Sequence, residues 1–175
     1  MSHTVRSVAA AAAAVVVIAF AGSPHKAEAR EVVSFNDKGY SAGTIVVRTG
    51  ERHLYYLMGN GRAVRYPVGV GKAGKAWTGS VMISGKYIAP AWSPPADVKR
   101  DNPRLPNLIP GGSPRNPMGA AALTLSGGGE YAIHGTNVPG SIGGFVSYGC
   151  IRMFNADVLD LYGRVSLGTS VVVTR

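Results

Sequence analysis

The chain has 175 residues, a formal net charge of +9 and a single cysteine. This length suits one domain with its own hydrophobic core, and one thiol excludes an intramolecular disulfide framework. The positive charge attracts anionic surroundings. However, the basic residues are scattered singly, without runs or interleaved stacking aromatics, so the pattern does not favour a nucleic-acid partner.

The first 29 residues have the pattern of a cleavable export signal. Arg6 provides a positive start, residues 8–21 form an almost unbroken apolar run, and Ala27-Glu28-Ala29 has the small-x-small pattern of a cleavage site. The apolar run falls short of the roughly 20 residues that span a bilayer. We therefore predict cleavage near Ala29 and a periplasmic protein without stable membrane insertion.

The rest of the chain has the pattern of a β protein. Residues 30–42 are predicted to be a flexible leader, and residues 43–175 one domain. Apolar alternation and β-branched residues predict short strands, at residues 44–47, 54–57, 63–68, 80–84, 121–125, 131–134 and 170–174. Asn60-Gly61 suits a tight hairpin turn. The predicted fold class is mostly β, a largely antiparallel sandwich or barrel.

One short α-helix is predicted to begin near Asn155, directly after the cysteine. Its apolar positions recur at helical spacing, at Val158, Leu161, Tyr162 and Val165. Asn155 is the expected N-cap, and Asp157 lies in the first turn, where a negative charge suits the helix dipole.

A proline-rich stretch at residues 89–118 holds eight of the eleven prolines. Long loops of this kind within a compact domain are often functional. The alternative interpretation is an ordered surface excursion without a role in function.

Few reactive groups remain once residues 1–29 are set aside. They include His53, His134 and Cys150, with no HExxH or CxxC spacing. A zinc site needs three or four protein ligands, so we expect no metal and no cofactor. No pair of carboxylates stands out by position, so nothing favours a glycosidase dyad.

What remains is a cysteine with a histidine base. A free thiol is mostly protonated at neutral pH, so a nucleophilic Cys150 needs an imidazole to take its proton. His134 ends a predicted strand, and a glycine-rich loop of fifteen residues that can fold back separates it from Cys150. Gly149 would let the backbone approach a carbonyl closely, so that amides of residues 148–150 could form an oxyanion hole. This combination predicts acyl transfer through a thioester.

Each residue also has a structural interpretation when it is taken alone. Cys150 could be a small buried hydrophobe, His134 a core histidine and Arg152 a solvated cation. We interpret His53, at the start of a strand, as structural.

The combination of these residues resembles the catalytic signature of the L,D-transpeptidase family, the YkuD or ErfK-like domain. The resemblance is carried by three segments: residues 132–137 (AIHGTN), residues 147–153 (SYGCIRM) with Asp157, and the proline-rich residues 90–95 (PAWSPP). Residues 109–112 (IPGG) and 116–119 (NPMG) agree with the stretch before the family's central strand. It covers roughly residues 43–175.

The resemblance implies a peptidoglycan L,D-transpeptidase. Cys150 would be the nucleophile and His134 the proton donor and acceptor. Cys150 would attack the stem-peptide carbonyl of the diamino acid at position three, release D-Ala and pass the acyl group to an amine. A second stem gives a 3→3 cross-link, an envelope protein gives a covalent anchor, and water would make the enzyme a carboxypeptidase. Carbapenems would acylate Cys150.

The resemblance also implies roles for the surrounding residues. Those expected to shape the site are Gly135, Ser147, Tyr148 and Gly149. Those expected to contact substrate are Trp92, Thr136, Asn137 and Arg152. The family usually has histidine where this chain has Tyr148, which predicts an active enzyme with a shifted pH profile. The alternatives from other classes are a non-catalytic wall-binding module and a polyanion-binding envelope protein, neither of which would need Cys150.

Overall fold

The computed structural model describes residues 30–127 and 130–175. The predicted export signal at residues 1–29 lies outside these ranges, so it stays a prediction. No helix within the described ranges is long and apolar enough to cross a membrane.

Eleven strands and two α-helices form the described part of the chain. The strands are β1 (Glu31–Ser34), β2 (Ile45–Arg48), β3 (His53–Gly59), β4 (Arg62–Pro67), β5 (Val70–Gly71), β6 (Gly79–Ile88), β7 (Ala121–Leu125), β8 (Ala132–His134), β9 (Phe145–Ser147), β10 (Ile151–Arg152) and β11 (Ser170–Thr174). The helices are α1 (Ala96–Asp101) and α2 (Asn155–Arg164), and a 3-10 turn lies at Pro139–Ser141. The prediction of a mostly β fold is confirmed.

Nine of the strands form one open sheet in the order β1-β4-β3-β2-β11-β6-β7-β8-β10, and β5 pairs with β9. The ten-residue β6 joins the two halves, because its first part pairs with β11 and its second part with β7. Most neighbours are antiparallel, but β2 with β11, β8 with β10 and β5 with β9 are parallel. Within the described residues the sheet does not close into a barrel, and a sandwich describes it better.

The main core lies between the two halves of the sheet. It combines apolar side chains of β2–β4 and β11 with those of β7, β8 and β10, together with Val158 and Leu161 of α2. Alternating burial along the strands produces this arrangement, since successive strand residues point to opposite faces. The β3–β4 hairpin turns at Asn60 and Gly61, both with positive φ, as the Asn-Gly pair predicts.

Three expectations need correction. Residues 31–34 of the expected flexible leader form β1, which pairs with β4. The Arg65 guanidinium of β4 also donates a hydrogen bond of 2.5 Å to the Glu31 carboxylate of β1. A second helix, α1, forms within the proline-rich stretch. Asn155 is the first residue of α2 rather than its N-cap, and Phe154 precedes it without a side-chain cap.

Candidate active site

A cavity of about 280 Å³ has both His134 and Cys150 in its lining. Ser147, Tyr148, Cys150 and Arg152 supply part of the lining together with the end of β8. The proline-rich stretch supplies another part through Trp92 and residues 95–98. The fold therefore brings together the two residues that the sequence predicted as nucleophile and base.

Strand pairing fixes the relation between these two residues. β10 runs parallel to β8, with Arg152 opposite His134, and the Met153 N–H donates to the His134 carbonyl at 2.8 Å. On its other side Arg152 exchanges backbone hydrogen bonds of 2.8 and 2.9 Å with Gly69. Cys150 directly precedes β10. Because β10 is hydrogen-bonded to β8 on one side and to Gly69 on the other, the position of the Cys150 backbone is fixed.

His134 is held in one tautomer. Its side chain is almost fully buried, with 4% exposed, and Nδ1 lies 2.6 Å from the Gly135 carbonyl. A carbonyl only accepts, so Nδ1 carries the proton and Nε2 is left as an acceptor. Burial is the main cause that lowers the pKa of His134 to about 4. The positive charge of Arg152 acts in the same direction, and the Gly135 and Pro117 carbonyls act against it. The imidazole is therefore neutral at pH 7 and can act as a base.

Cys150 is partly buried and free. Its Sγ donates a long hydrogen bond of 3.8 Å to the Glu130 carbonyl. Burial raises the pKa of the thiol, and a contact with the Ala132 backbone and the charge of Arg152 oppose that increase. The resting pair is thus a neutral thiol and a neutral imidazole, so the proton has to transfer during the reaction.

Arg152 places a positive charge close to the nucleophile. Within the part of the chain that the structure describes, its Nε is buried without a hydrogen-bond partner. Burial lowers the pKa of Arg152, but a guanidinium remains charged in proteins. An incompletely paired cation beside the sulfur favours the thiolate that forms when the proton leaves.

The backbone at Gly149 is braced by two aromatic rings. The Trp77 Nε1–H donates to the Gly149 carbonyl at 2.9 Å, and Trp77 stacks on Tyr131 at 5.1 Å with an angle of 6° between the rings. Gly149 has φ +122°, and a Cβ at this position would lie 2.3 Å from the Tyr131 ring. We call residues 147–150 the nucleophile loop. Glycine is required at position 149 because no side chain fits between this loop and the Tyr131 ring.

Of the three amides that the sequence suggested for an oxyanion hole, one is already engaged. The Gly149 N–H donates to Ser147 Oγ at 3.1 Å, and the Ser147 hydroxyl donates to the Cys150 carbonyl at 2.6 Å. The amides of Tyr148 and Cys150 have no hydrogen-bond partner within residues 30–127 and 130–175. Because a trans peptide points its C=O and N–H in opposite directions, the Cys150 N–H points away from Trp77.

Two further predicted residues line the cavity. The Tyr148 hydroxyl donates to Asp101 of α1, and Trp92 forms a backbone bridge with Ile109 at 2.8 and 2.9 Å. Tyr148 therefore connects the site to the proline-rich stretch, and Trp92 is the part of that stretch that reaches the cavity.

The other predicted residues occupy structural positions outside the cavity lining. The Gly135 carbonyl accepts the hydrogen bond from His134 Nδ1. The buried Thr136 donates its N–H to Asn155 Oδ1 at 3.0 Å, and the exposed Asn137 donates to the Pro114 carbonyl at 3.3 Å. Substrate contact by Thr136 and Asn137 stays a prediction. Asn155 Oδ1 also accepts from Ala120 at 3.1 Å, so Asn155 ties β7 to the segment after β8.

Sequence reasoning missed several residues of the site. Trp77, Tyr131, Lys75 and Asp97 all contact the cavity or its nucleophile loop. Trp77 is one of only two tryptophans, and a large aromatic close to a glycine-rich turn was the available signal. Lys75 and Asp97 gave no such signal, because each is paired with a residue distant in sequence.

Comparisons with known proteins agree with this geometry. The model of the YkuD family, the L,D-transpeptidase catalytic domain, matches residues 42–173. The "Probable L,D-transpeptidase ErfK/SrfK" of Escherichia coli is 39% identical over 138 residues, which cover 74% of this chain and 43% of that protein. The chain thus spans less than half the length of this relative.

Solved structures show the same fold at lower identity. An L,D-transpeptidase from Mycobacterium smegmatis superposes with a TM-score of 0.60 at 17% identity, covering 78% of this chain and 60% of that one. The catalytic domain of the Enterococcus faecium enzyme, acylated by ertapenem, gives 0.57 at 20% identity, covering 75% and 95%. Its family match covers most of the chain, His134 ends β8, and Cys150 directly precedes the parallel β10. This protein therefore belongs to the L,D-transpeptidase catalytic domain family.

Proposed function

We propose that this protein is a peptidoglycan L,D-transpeptidase that uses Cys150 as its nucleophile. The observation that carries the proposal is the arrangement of Cys150 and His134 at one cavity, with His134 Nδ1 committed to Gly135 and Nε2 left to accept a proton. The family membership supplies the substrate class, stem peptides with a diamino acid at position three.

In the first half-reaction the thiol becomes acylated. His134 Nε2 takes the Cys150 proton while the sulfur attacks the carbonyl carbon of the position-three residue. The tetrahedral oxyanion accepts hydrogen bonds from the Cys150 and Tyr148 amides. The bond to D-Ala then breaks, the imidazolium returns its proton to the departing amine, and a thioester remains on Cys150.

In the second half-reaction an amine resolves the thioester. The acceptor amine attacks the thioester carbonyl, His134 takes a proton from the attacking nitrogen, and the sulfur leaves and recovers that proton. The products are a new amide bond and free Cys150. A second stem peptide as acceptor gives a 3→3 cross-link, and an envelope protein gives a covalent anchor. Glu130, exposed at the rim near Cys150, offers a carboxylate that attracts a positively charged acceptor.

Carbapenems would acylate the same sulfur. A relative in the same fold is acylated by ertapenem, and the neutral Cys150–His134 pair can open a strained lactam by the same proton transfer. Export to the periplasm, with cleavage near Ala29, would place the enzyme with its polymer.

The test is to incubate the purified protein with disaccharide-tetrapeptide and to identify the products by mass spectrometry, with Cys150→Ala as the control. A cross-linked dimer that has lost one D-Ala supports transpeptidation. Tripeptide alone would identify a carboxypeptidase. Binding of peptidoglycan without any Cys150-dependent product would identify a non-catalytic wall-binding protein and refute the proposal.

A further inference from the structure

The tip of the proline-rich stretch, residues 93–108, has no buried side chain that would anchor it to the core of the domain. Its base is fixed by the two backbone hydrogen bonds between Trp92 and Ile109. No residue between Trp92 and Ile109 is buried, and α1, which lies in this segment, has no buried side chain. We call residues 93–108 the excursion. Because little apolar area holds it, its position depends on polar contacts at its surface.

The excursion forms one wall of the active-site cavity. Its residues 95–98 line the same cavity as Cys150 and His134. Any movement of α1 therefore changes the opening through which a substrate reaches the sulfur.

Two carboxylates of α1 point toward the nucleophile side of the site. Asp97 and Asp101 are four residues apart, so they share one helix face. Asp97 forms an ion pair with Lys75, and Asp101 pairs with Lys72 at 3.6 Å. Both lysines lie just after β5.

Tyr148 joins this cluster from the nucleophile loop. Its hydroxyl donates to Asp101, and Lys72 Nζ lies 3.8 Å from the centre of its ring. The Tyr148 hydrogen bond and the Lys72 charge both lower the pKa of Asp101, so that this carboxylate is ionised and able to accept at neutral pH. Tyr148 thus contacts α1 with its side chain while its backbone leads directly into Gly149 and Cys150.

We propose that Tyr148 is a positioning residue that latches α1 over the cavity through Asp101, and that this latch sets the entrance for the stem peptide. The inference deepens the proposed function and rests on it for the identity of the substrate. The Tyr148 hydroxyl supplies the link, with Lys72 and Lys75 holding the two carboxylates in place.

The physical character of the latch determines the expected size of the effect. Asp101 is exposed and the other members are partly exposed, and ion pairs near the surface stabilise little and are screened by salt. Loss of one hydrogen bond therefore shifts the population of the open excursion by a few-fold rather than abolishing folding. A latch of this strength can open for a large substrate and close again.

The first measurement follows the excursion itself and does not depend on activity. Lys99, Arg100 and Arg104 offer trypsin sites within the excursion, so the rate of nicking there reports its opening. Tyr148→Phe removes the hydroxyl and keeps the ring, and Asp101→Asn weakens the acceptor. We expect about three- to tenfold faster nicking in each variant and no further increase in the double variant. Tyr87→Phe, at an exposed tyrosine of β6, is the matched control and should leave nicking unchanged.

The second measurement concerns the entrance. With disaccharide-tetrapeptide, Tyr148→Phe should raise KM about three- to tenfold and change kcat little, whereas Tyr87→Phe should change neither. Unchanged nicking in Tyr148→Phe overturns the latch. Faster nicking with an unchanged KM overturns its role at the entrance. A protein without any transpeptidase activity would refute the proposed function, and the nicking rates would still decide whether the latch exists.

Discussion

The nucleophile loop and the excursion form two walls of the same cavity, and they are held in place by different kinds of contact. Cys150 leads into a strand held by backbone hydrogen bonds to β8 and Gly69, with Trp77 bonded to the preceding carbonyl. The excursion has no buried residue between Trp92 and Ile109 and is attached by partly or fully exposed charged side chains. The backbone in the core thus fixes the geometry of the chemistry, and weak surface contacts control access to it.

The largest effect should come from the two reacting groups. Cys150→Ala should abolish acylation, and His134→Gln should lower its rate about 10²- to 10⁴-fold because the proton acceptor is lost. His53→Gln is the matched control, since His53 lies in β3 and outside the cavity lining. The measurement is the rate of the mass increase on ertapenem treatment. A His134→Gln variant that keeps more than about a tenth of the rate would contradict the role of His134 as base.

A smaller but still large effect is expected from Gly149→Ala. Its Cβ would lie 2.3 Å from the Tyr131 ring at a φ of +122°, so the loop must move. We expect acylation about 100-fold slower and a free energy of unfolding lower by about 1–3 kcal/mol.

Gly163→Ala is the matched control for this substitution. Gly163 lies in α2, and a Cβ there meets nothing within 4 Å. This variant should keep its activity and gain slightly in stability, because alanine favours a helix over glycine. Equal acylation rates in the two glycine variants would contradict a rigid nucleophile loop.

The pH dependence tests whether burial controls the base. Protonation of His134 inactivates it, and its pKa of about 4 places that loss well below neutral pH. The acylation rate should therefore fall less than about twofold between pH ~7 and pH ~5.5, whereas a histidine with pKa ~6.5 would give about a tenfold fall. The rate of D-Ala release in the first turnover is the measurement, because the acceptor amine does not take part in that step.

The smallest of these effects concerns the hydrogen bond of Trp77. Trp77→Phe removes the donor to Gly149 and keeps a ring to stack on Tyr131. A lost hydrogen bond of about 1 kcal/mol corresponds to roughly fivefold slower acylation. This loss should be the same at low salt and at about 0.5 M salt, whereas the effect of Tyr148→Phe on nicking should shrink at high salt. If the Trp77→Phe effect on acylation and the Tyr148→Phe effect on nicking changed equally with salt, the two walls would not be held by different kinds of contact.

The sequence located most of the regular strands and α2, but it predicted only residues 80–84 of the ten-residue β6 and missed β1 and the shortest strands. β7 and β11 have the predicted bounds, and α2 buries Val158 and Leu161 as its spacing indicated. β5, β9 and β10 have only two or three residues, too few for a periodic pattern to be read. Their pairing depends on partners that are distant in the chain, so local propensity could not predict them.

The same distinction applies within the site. Cys150 and His134 were predicted because the chemistry of a lone thiol requires a base, and the motif around them is specific. The engagement of the Gly149 amide by Ser147 and the use of Asn155 to tie two segments were not predicted. Side-chain hydrogen bonds of this kind depend on distances of a few ångströms, which spacing along the chain does not determine.

By itself, the sequence indicated the fold class through its hydrophobic periodicity. The motifs around His134 and Cys150 indicated the family by resemblance and predicted the base and the nucleophile. The tertiary structure alone decided the protonation state of His134, since burial sets its pKa, and the partner of Tyr148, since Asp101 lies 47 positions away. Solvation and long-range contacts arise only when the chain is folded, and they determine how the Cys150–His134 pair is used.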